Sequence, residues 1–413
     1  MHTEATTGPA LRGVDTETLG YAALWCTFAI SGFVFVEPAP FDLAILALLA
    51  LFLLAGLRIP FDIAPMLALV GAVLVGGLIG IPLSAHFEES AIHIAVTGYL
   101  SGIALFIACV VRRDPERTLR VIMSGYMVAA VGAALAGLAG YVALFDGAAD
   151  LFTLYGRARG PFKDPNVFGP FLIVPALFCL LQVFTWPARR TLLPLLGFAI
   201  LASAILLSLS RGAWGNFVVS AFVFVLLLMM TTTEPRFRAR LTLWSIAAVI
   251  LAACLVVAAL SIESLSRIIA ERAQLIQAYD AGGHGRFDAQ AQAVAYILVS
   301  PLGVGPRDFA SLWGEEAHNV YLTAFLAGGW LAGFANIALV LVTAARAFAV
   351  ALRPGPIQGV AIVIAAGFFG VALEGLIVDT DHWRLYWVLL GAVWGLPYRP
   401  STFSTHCGSI ARL

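Results

Sequence analysis

Apolar runs alternate with short polar turns along nearly the whole chain. The runs lie near 20–36, 41–57, 63–81, 91–111, 121–145, 167–184, 192–209, 213–230, 241–260, 319–344, 360–378 and 383–397. A helix needs about 20 mostly apolar residues to cross a bilayer, so the pattern predicts an all-α, polytopic membrane helical bundle of about 12 spans. One long interval departs from it. Residues 261–318 are polar and predict a large loop holding short helices. The resulting plan has tails at 1–19 and 399–413, spans one to nine within 20–260, the loop at 261–318, and spans ten to twelve within 319–398.

Composition agrees with a membrane protein. Of 413 residues, 61% are hydrophobic and 12% charged, and the mean hydropathy is +0.94. The first twelve residues lack the basic region and small-residue cleavage site of a signal peptide, so we expect a retained tail. The five cysteines, Cys26, Cys109, Cys179, Cys254 and Cys407, show neither CxxC nor Cys/His metal spacing. Neither a disulfide nor zinc is expected. No GxxxxGK[ST] occurs, which argues against direct use of ATP.

Charge distribution gives an orientation. With both tails inside, fifteen of the 24 basic residues fall in inner segments and nine in outer ones, as the positive-inside rule requires. The 261–318 loop is then extracytoplasmic. The outer cations Arg157, Arg159, Lys163, Arg211, Arg267, Arg272, Arg286, Arg307 and Arg384 sit against that bias. They serve either an anionic ligand or the numerous outer carboxylates.

Taken in order, the first four spans read as scaffold, with Gly71, Gly76, Gly77 and Gly80 allowing close helix approach. His93, just inside the fourth, reads as a packed or interfacial residue. Between spans five and six, Arg157, Arg159 and Lys163 share a segment in which Gly160, Pro161 and Pro165 preclude regular helix, so guanidinium groups and backbone N–H groups can face a phosphate. Asn166 is expected to cap span six. Ser210-Arg211-Gly212 makes a tight turn where an arginine is costly unless it is paired or reaches a wet cavity. In the large loop, residues 265–279 form an amphipathic pattern suited to the bilayer interface. Gly282, Gly283, His284 and Gly285 break it, Arg286 opens a second helix through about Val299, and Phe309, Leu312 and Trp313 could dock the next turn on the membrane surface. The loop ends on Glu315, Glu316, Ala317, His318, Asn319, where carboxylates and an imidazole can hold or exchange a proton. Asn319 is a plausible cap of span ten. The positive helix end favours a neutral His318, and Glu315 and Glu316 oppose it.

Four stretches in this order resemble the O-antigen ligase and polymerase superfamily of the Wzy/WaaL type: Arg159-Gly160 with Pro165-Asn166; Ser210-Arg211-Gly212; Gly303-Val304-Gly305-Pro306 with Phe309; and His318-Asn319 before Tyr321-Leu322. The resemblance covers roughly residues 150–340. It implies a GT-C-like bundle in a bacterial inner membrane with a large periplasmic loop. It further implies an undecaprenyl-diphosphate-linked glycan as donor, a lipid A core sugar or growing polysaccharide as acceptor, and no metal, nucleotide or other cofactor. By position, Arg211 and Arg286 would hold the donor diphosphate and His318 would orient or deprotonate the acceptor. Arg286 is followed by Phe287, Asp288, Ala289 and Gln290, where many relatives carry tryptophan, so Arg307 competes for its role. We expect Arg157, Arg159, Lys163, Asn166, Arg307, Asn319, Tyr321 and Glu315 to contact substrate. Membrane lipids are the other partners, and nucleic acid is not one. The alternative is a lipid-linked glycan flippase or polysaccharide transporter, which would show ionisable residues near mid-membrane and paired broken helices. A scaffold for polysaccharide export is a third class.

Overall fold

The computed structural model describes residues 16–54, 56–260 and 285–398. Helices α1 (Thr16–Ala29) and α2 (Pro40–Leu54) lead to α3 (Ala64–Gly80), α4 (Phe87–Arg113) and α5 (Pro115–Tyr141). A one-turn α6 (Ala148–Phe152) and a small antiparallel hairpin, β1 (Thr153–Leu154) with β2 (Arg157–Ala158), precede α7 (Pro165–Thr185). Next come α8 (Leu192–Leu207), α9 (Arg211–Thr231) and α10 (Pro235–Leu260). Beyond them lie α11 (Arg286–Val299), α12 (Phe309–Trp313), α13 (Val320–Ala351), α14 (Gln358–Glu374) and α15 (Arg384–Gly395). The fold is that of an all-α membrane protein. Among the described residues six helices are long and apolar enough to cross a membrane, and α2, α8 and α14 are shorter apolar helices. The amphipathic pattern at 265–279 lies outside the described residues.

Local chemistry sets several helix starts. Asp114 accepts a hydrogen bond from the Arg117 backbone N–H at 3.0 Å ahead of Pro115, and Asp164 accepts one from the Asn166 N–H at 2.8 Å ahead of Pro165. Both use a capping carboxylate followed by proline, whose missing N–H costs nothing at that position. This corrects the expected cap of α7: Asp164, not Asn166, does the capping. Asn319 caps α13 as expected, accepting from the N–H groups of Tyr321 and Leu322 at 3.1 and 3.2 Å.

Small residues bring backbones together. A Cβ on Gly76 would lie 2.6 Å from the Gly328 carbonyl, and one on Gly125 2.6 Å from that of Trp25, whereas Gly71 faces open space. Close approach is therefore confined to part of the glycine run in α3.

Helix α13 is broken in its first third. Gly328 and Gly329 leave helical geometry, Gly329 at φ 66° and ψ −163°, a combination open essentially to glycine alone. The backbone groups that the break releases are taken up by the preceding loop. Val304 N–H donates to the Leu326 carbonyl at 2.8 Å, and Trp330 N–H to the Pro301 carbonyl at 2.9 Å. Non-helical backbone at membrane depth is tolerated when protein satisfies it in this way. The same seam explains Gly303 and Gly305, which adopt φ 86° and 112°; a Cβ on Gly303 would sit 2.6 Å from the Leu326 carbonyl. These glycines serve backbone contact.

A small satellite core of Ala289, Ala293, Phe309, Ala317 and Leu326 holds α11 and α12 onto α13. Phe309 is buried there, which corrects its expected place on the membrane surface; Leu312 is exposed. The first four spans are likewise more than scaffold. In α2, buried Asp42 takes a two-pronged bond from Arg384, 2.6 Å on each oxygen, and a third from Tyr99 at 2.8 Å.

Candidate active site

The connection between α14 and α15 gathers the parts of the site. Its Gly375 carbonyl accepts from Val320 N–H at 2.9 Å, and its Leu376 carbonyl accepts from Asn319 Nδ2 at 3.1 Å and Gln290 Nε2 at 3.2 Å. Just before it, Glu374 bonds Asn216 of α9 at 2.7 Å, and a Cβ on Gly212 would lie 2.6 Å from Glu374 Oε1. The helix starting at Arg211, the one starting at Arg286 and the one following His318 thus all dock on residues 374–379.

His318 occupies the left-handed region at φ 47°, unusual for a side chain of its size. Its ring is held at both nitrogens: Nδ1 lies 3.3 Å from Asp379 Oδ2 and Nε2 lies 2.9 Å from Glu315 Oε1. Asp379 is fixed in turn by the Thr323 hydroxyl at 3.1 Å. The bond from Asp379 raises the pKa of His318 above the usual imidazole value, Glu315 adds to this, and burial and the Arg286 charge work against it. The carboxylates therefore outweigh burial and the Arg286 charge, which answers the question that the sequence left open between the helix end and its acidic neighbours.

Beside this group is a cavity of about 380 Å³ whose lining includes Glu37, Lys163, Arg307, Glu316, Asp379 and Arg384 over an apolar floor of Phe28, Phe41, Tyr126 and Phe171. Arg307, at φ 66°, meets Glu316 at 3.1 Å, and Lys163 meets Glu37 at 3.0 Å. Burial raises the pKa of Glu316, with Arg307 opposing. The wall thus offers cations and removable carboxylates side by side, suited to exchanging internal pairs for an anionic ligand.

Other expected contacts are used on the protein itself. Arg157 donates from Nε to the Ser208 carbonyl at 2.9 Å and from Nη2 to Asn166 Oδ1 at 2.7 Å, tying the hairpin to the α8–α9 turn. Arg159 reaches the Asp150 carbonyl at 3.2 Å. The Tyr321 hydroxyl donates to the Ala372 carbonyl at 2.5 Å, and both ends of the Asn319 amide bond backbone. Arg157, Asn166, Asn319 and Tyr321 are thus bonded within the protein, while Lys163 and Arg307 line the cavity and Glu315, which does not, is held on His318.

Sequence reading sees Asp379, Asp381 and His382 only as part of an outer polar rim with Glu374 and Arg384, and His93 as a packed or interfacial residue, and gives none of them a role. Asp379 lies 61 positions from His318, and His93 lies 288 from Asp381, so no local spacing links them. The available signal was the density of polar residues at 374–384 between two apolar runs.

Residues 196–337 match a family model described as O-antigen ligase. No curated protein matches the chain significantly.

Proposed function

We propose that this chain, which is of the O-antigen ligase and polymerase family by its segment 196–337, transfers a glycan from an undecaprenyl-diphosphate-linked donor to an acceptor hydroxyl. The family match supports glycan transfer of this general type. The finer reading places the reaction at the periplasmic end of the bundle, in a bacterial inner membrane, with the shorter apolar helices completing about 12 spans. The domain limits 1–19, 20–260, 261–318, 319–398 and 399–413 belong to that reading.

One observation carries the proposal: an imidazole clamped by Asp379 beside a cation-bearing cavity. In the reaction the acceptor oxygen attacks the anomeric carbon as the bond from that carbon to the diphosphate oxygen breaks. The acceptor proton passes to His318 Nε2 once exposed Glu315 swings aside, and Asp379 on Nδ1 stabilises the imidazolium that forms. The departing undecaprenyl diphosphate carries away the electron pair, and arginines stabilise its charge. We assign that part to Arg211 and Arg286, with Arg307 and Lys163 on the cavity wall receiving the remaining anionic groups. The energy resides in the donor, so no nucleotide is consumed. Acceptors are a lipid A core sugar or a growing polysaccharide.

The test is reconstitution with purified polyprenyl-diphosphate oligosaccharide, offering lipid A core and a second donor molecule in separate arms. Elongation of one acceptor is expected and distinguishes ligase from polymerase. His318→Ala should abolish transfer with donor binding retained; transfer at the wild-type rate in that variant would remove His318 from the chemistry. Arg211→Ala should weaken donor binding, and unchanged affinity would contradict its role. Translocation of the donor without any product would favour the flippase alternative.

A further inference from the structure

In the lining of the same cavity, two imidazoles and a carboxylate converge from distant parts of the chain. His93 Nε2 and His382 Nε2 each lie 3.8 Å from Asp381 Oδ2. The two rings are 4.3 Å apart between centroids. One ligand atom from each of the three residues falls within 4.8 Å of the others. We propose that His93, Asp381 and His382 form a binding site for a divalent transition-metal ion of the zinc class, with coordination positions open to the cavity.

The donor set favours this class. Two imidazoles with one carboxylate suit zinc and its neighbours, whereas magnesium and calcium prefer oxygen alone. The spacing is near that of a bound metal. Bonds of about 2.1 Å in a tetrahedral arrangement place ligand atoms about 3.4 Å apart, so each histidine closes on Asp381 from 3.8 Å, and the two imidazole nitrogens close on each other from within 4.8 Å. Trp387 Nε1 donates to the Asp381 carbonyl at 2.6 Å and fixes the backbone there, while the Thr97 hydroxyl, 3.1 Å from His382 Nε2, occupies the place that an ion would take on that nitrogen. The three residues all line the cavity, and their side chains are 12%, 22% and 32% exposed for His93, Asp381 and His382, leaving a path from solvent. Of the nearby cations, Arg384 is paired with Asp42 and Arg307 with Glu316. The site was invisible to spacing rules because it joins the start of α4 to the α14–α15 connection.

The site does not depend on the transfer reaction, and its test uses neither donor nor acceptor. Tag-free, full-length protein in detergent is stripped with a chelator and titrated with Co²⁺, whose visible absorption reports low coordination number. We expect one saturable Co²⁺ per chain, displaced by Zn²⁺ and not by Mg²⁺. His93→Ala, His382→Ala and Asp381→Asn should each weaken binding at least tenfold, with folding checked by size-exclusion elution, and His86→Ala should leave it unchanged. Absence of a saturable site, wild-type affinity in both histidine variants, or equal displacement by Mg²⁺ would overturn the assignment.

Discussion

Asp379→Asn tests the proposed chemistry most directly, because it preserves shape and the bond with Thr323 while removing the charge beside His318. The wild-type pair is 3.3 Å apart, and both side chains are 32% exposed. A hydrogen bond to a charged group contributes about 1.5–3 kcal/mol. Partial exposure places this one at the lower end. About 1.4 kcal/mol is tenfold in rate, so transfer at the optimum pH should fall by roughly one order of magnitude. The direction with pH follows separately. Asp379 is the largest cause of the raised pKa of His318. Without it the imidazole loses its proton more readily, so the acid limb of the rate profile moves to lower pH. Glu315→Gln should move the limb the same way, and Arg286→Ala the opposite way, since the Arg286 charge lowers the His318 pKa. The assay is a pH series of kcat/KM with reconstituted protein and purified donor. An acid limb that stays in place in Asp379→Asn, with the loss confined to donor KM, would refute the view that Asp379 acts through His318.

Three further outcomes follow from the structure. Gly329→Ala forces a Cβ onto the Pro301–Leu302 backbone at φ 66°, and the backbone strain alone costs about 1–3 kcal/mol; a lowered Tm in detergent is expected, and an unchanged one would contradict the break in α13. Arg346, buried, bonds the Val393, Trp394 and Leu396 carbonyls at the end of α15, so Arg346→Ala should destabilise by about 3 kcal/mol or more, read as a drop in Tm, without altering the pH profile of transfer. The third concerns His86, whose Nδ1 lies 2.7 Å from Asp308, latching the loop that carries Arg307 to the α3–α4 turn. The Asp308 bond raises the His86 pKa; burial pushes Asp308 up, but bonds from His86, Ala85 N–H and Ser84 prevail and lower it. The latch is therefore tight above the usual carboxylate range and slackens as pH rises through the raised value of His86. Hydrogen exchange at 304–309 should be faster in His86→Ala than in wild type at pH 6 and match it at alkaline pH.

Elements resting on local chemistry were legible in the sequence. Apolar runs located the helices, Gly285-Arg286 opened α11, and the Asn319 cap was written in its neighbours. The docking of helix starts on residues 374–379 was not, because backbone carbonyls accept most of the bonds and any residue supplies those. Asn166 was misread for a related reason: Asp164 and Asn166 can both cap, and only the fixed φ of Pro165 decides between them. Phe309 was assigned to lipid because burial against Ala289 and Ala293 depends on how α11 folds back. His93 looked like an isolated imidazole until chain reversal brought Asp381 and His382 to it.

The seam at Gly328–Gly329 limits how this protein can open. Lifting residues 301–305 away would strand the Leu326 carbonyl and the Trp330 amide in hydrocarbon, at a cost of several kcal/mol apiece. That segment is consequently welded to α13 and travels with it. Room for a bulky sugar chain must instead come from the stretch between Arg307 and His318, pivoting at Gly314, whose φ of 99° marks the one glycine joint there. The entrance then widens by moving Glu316 relative to Arg307 about Gly314, so admission of substrate and parting of that ion pair become a single event.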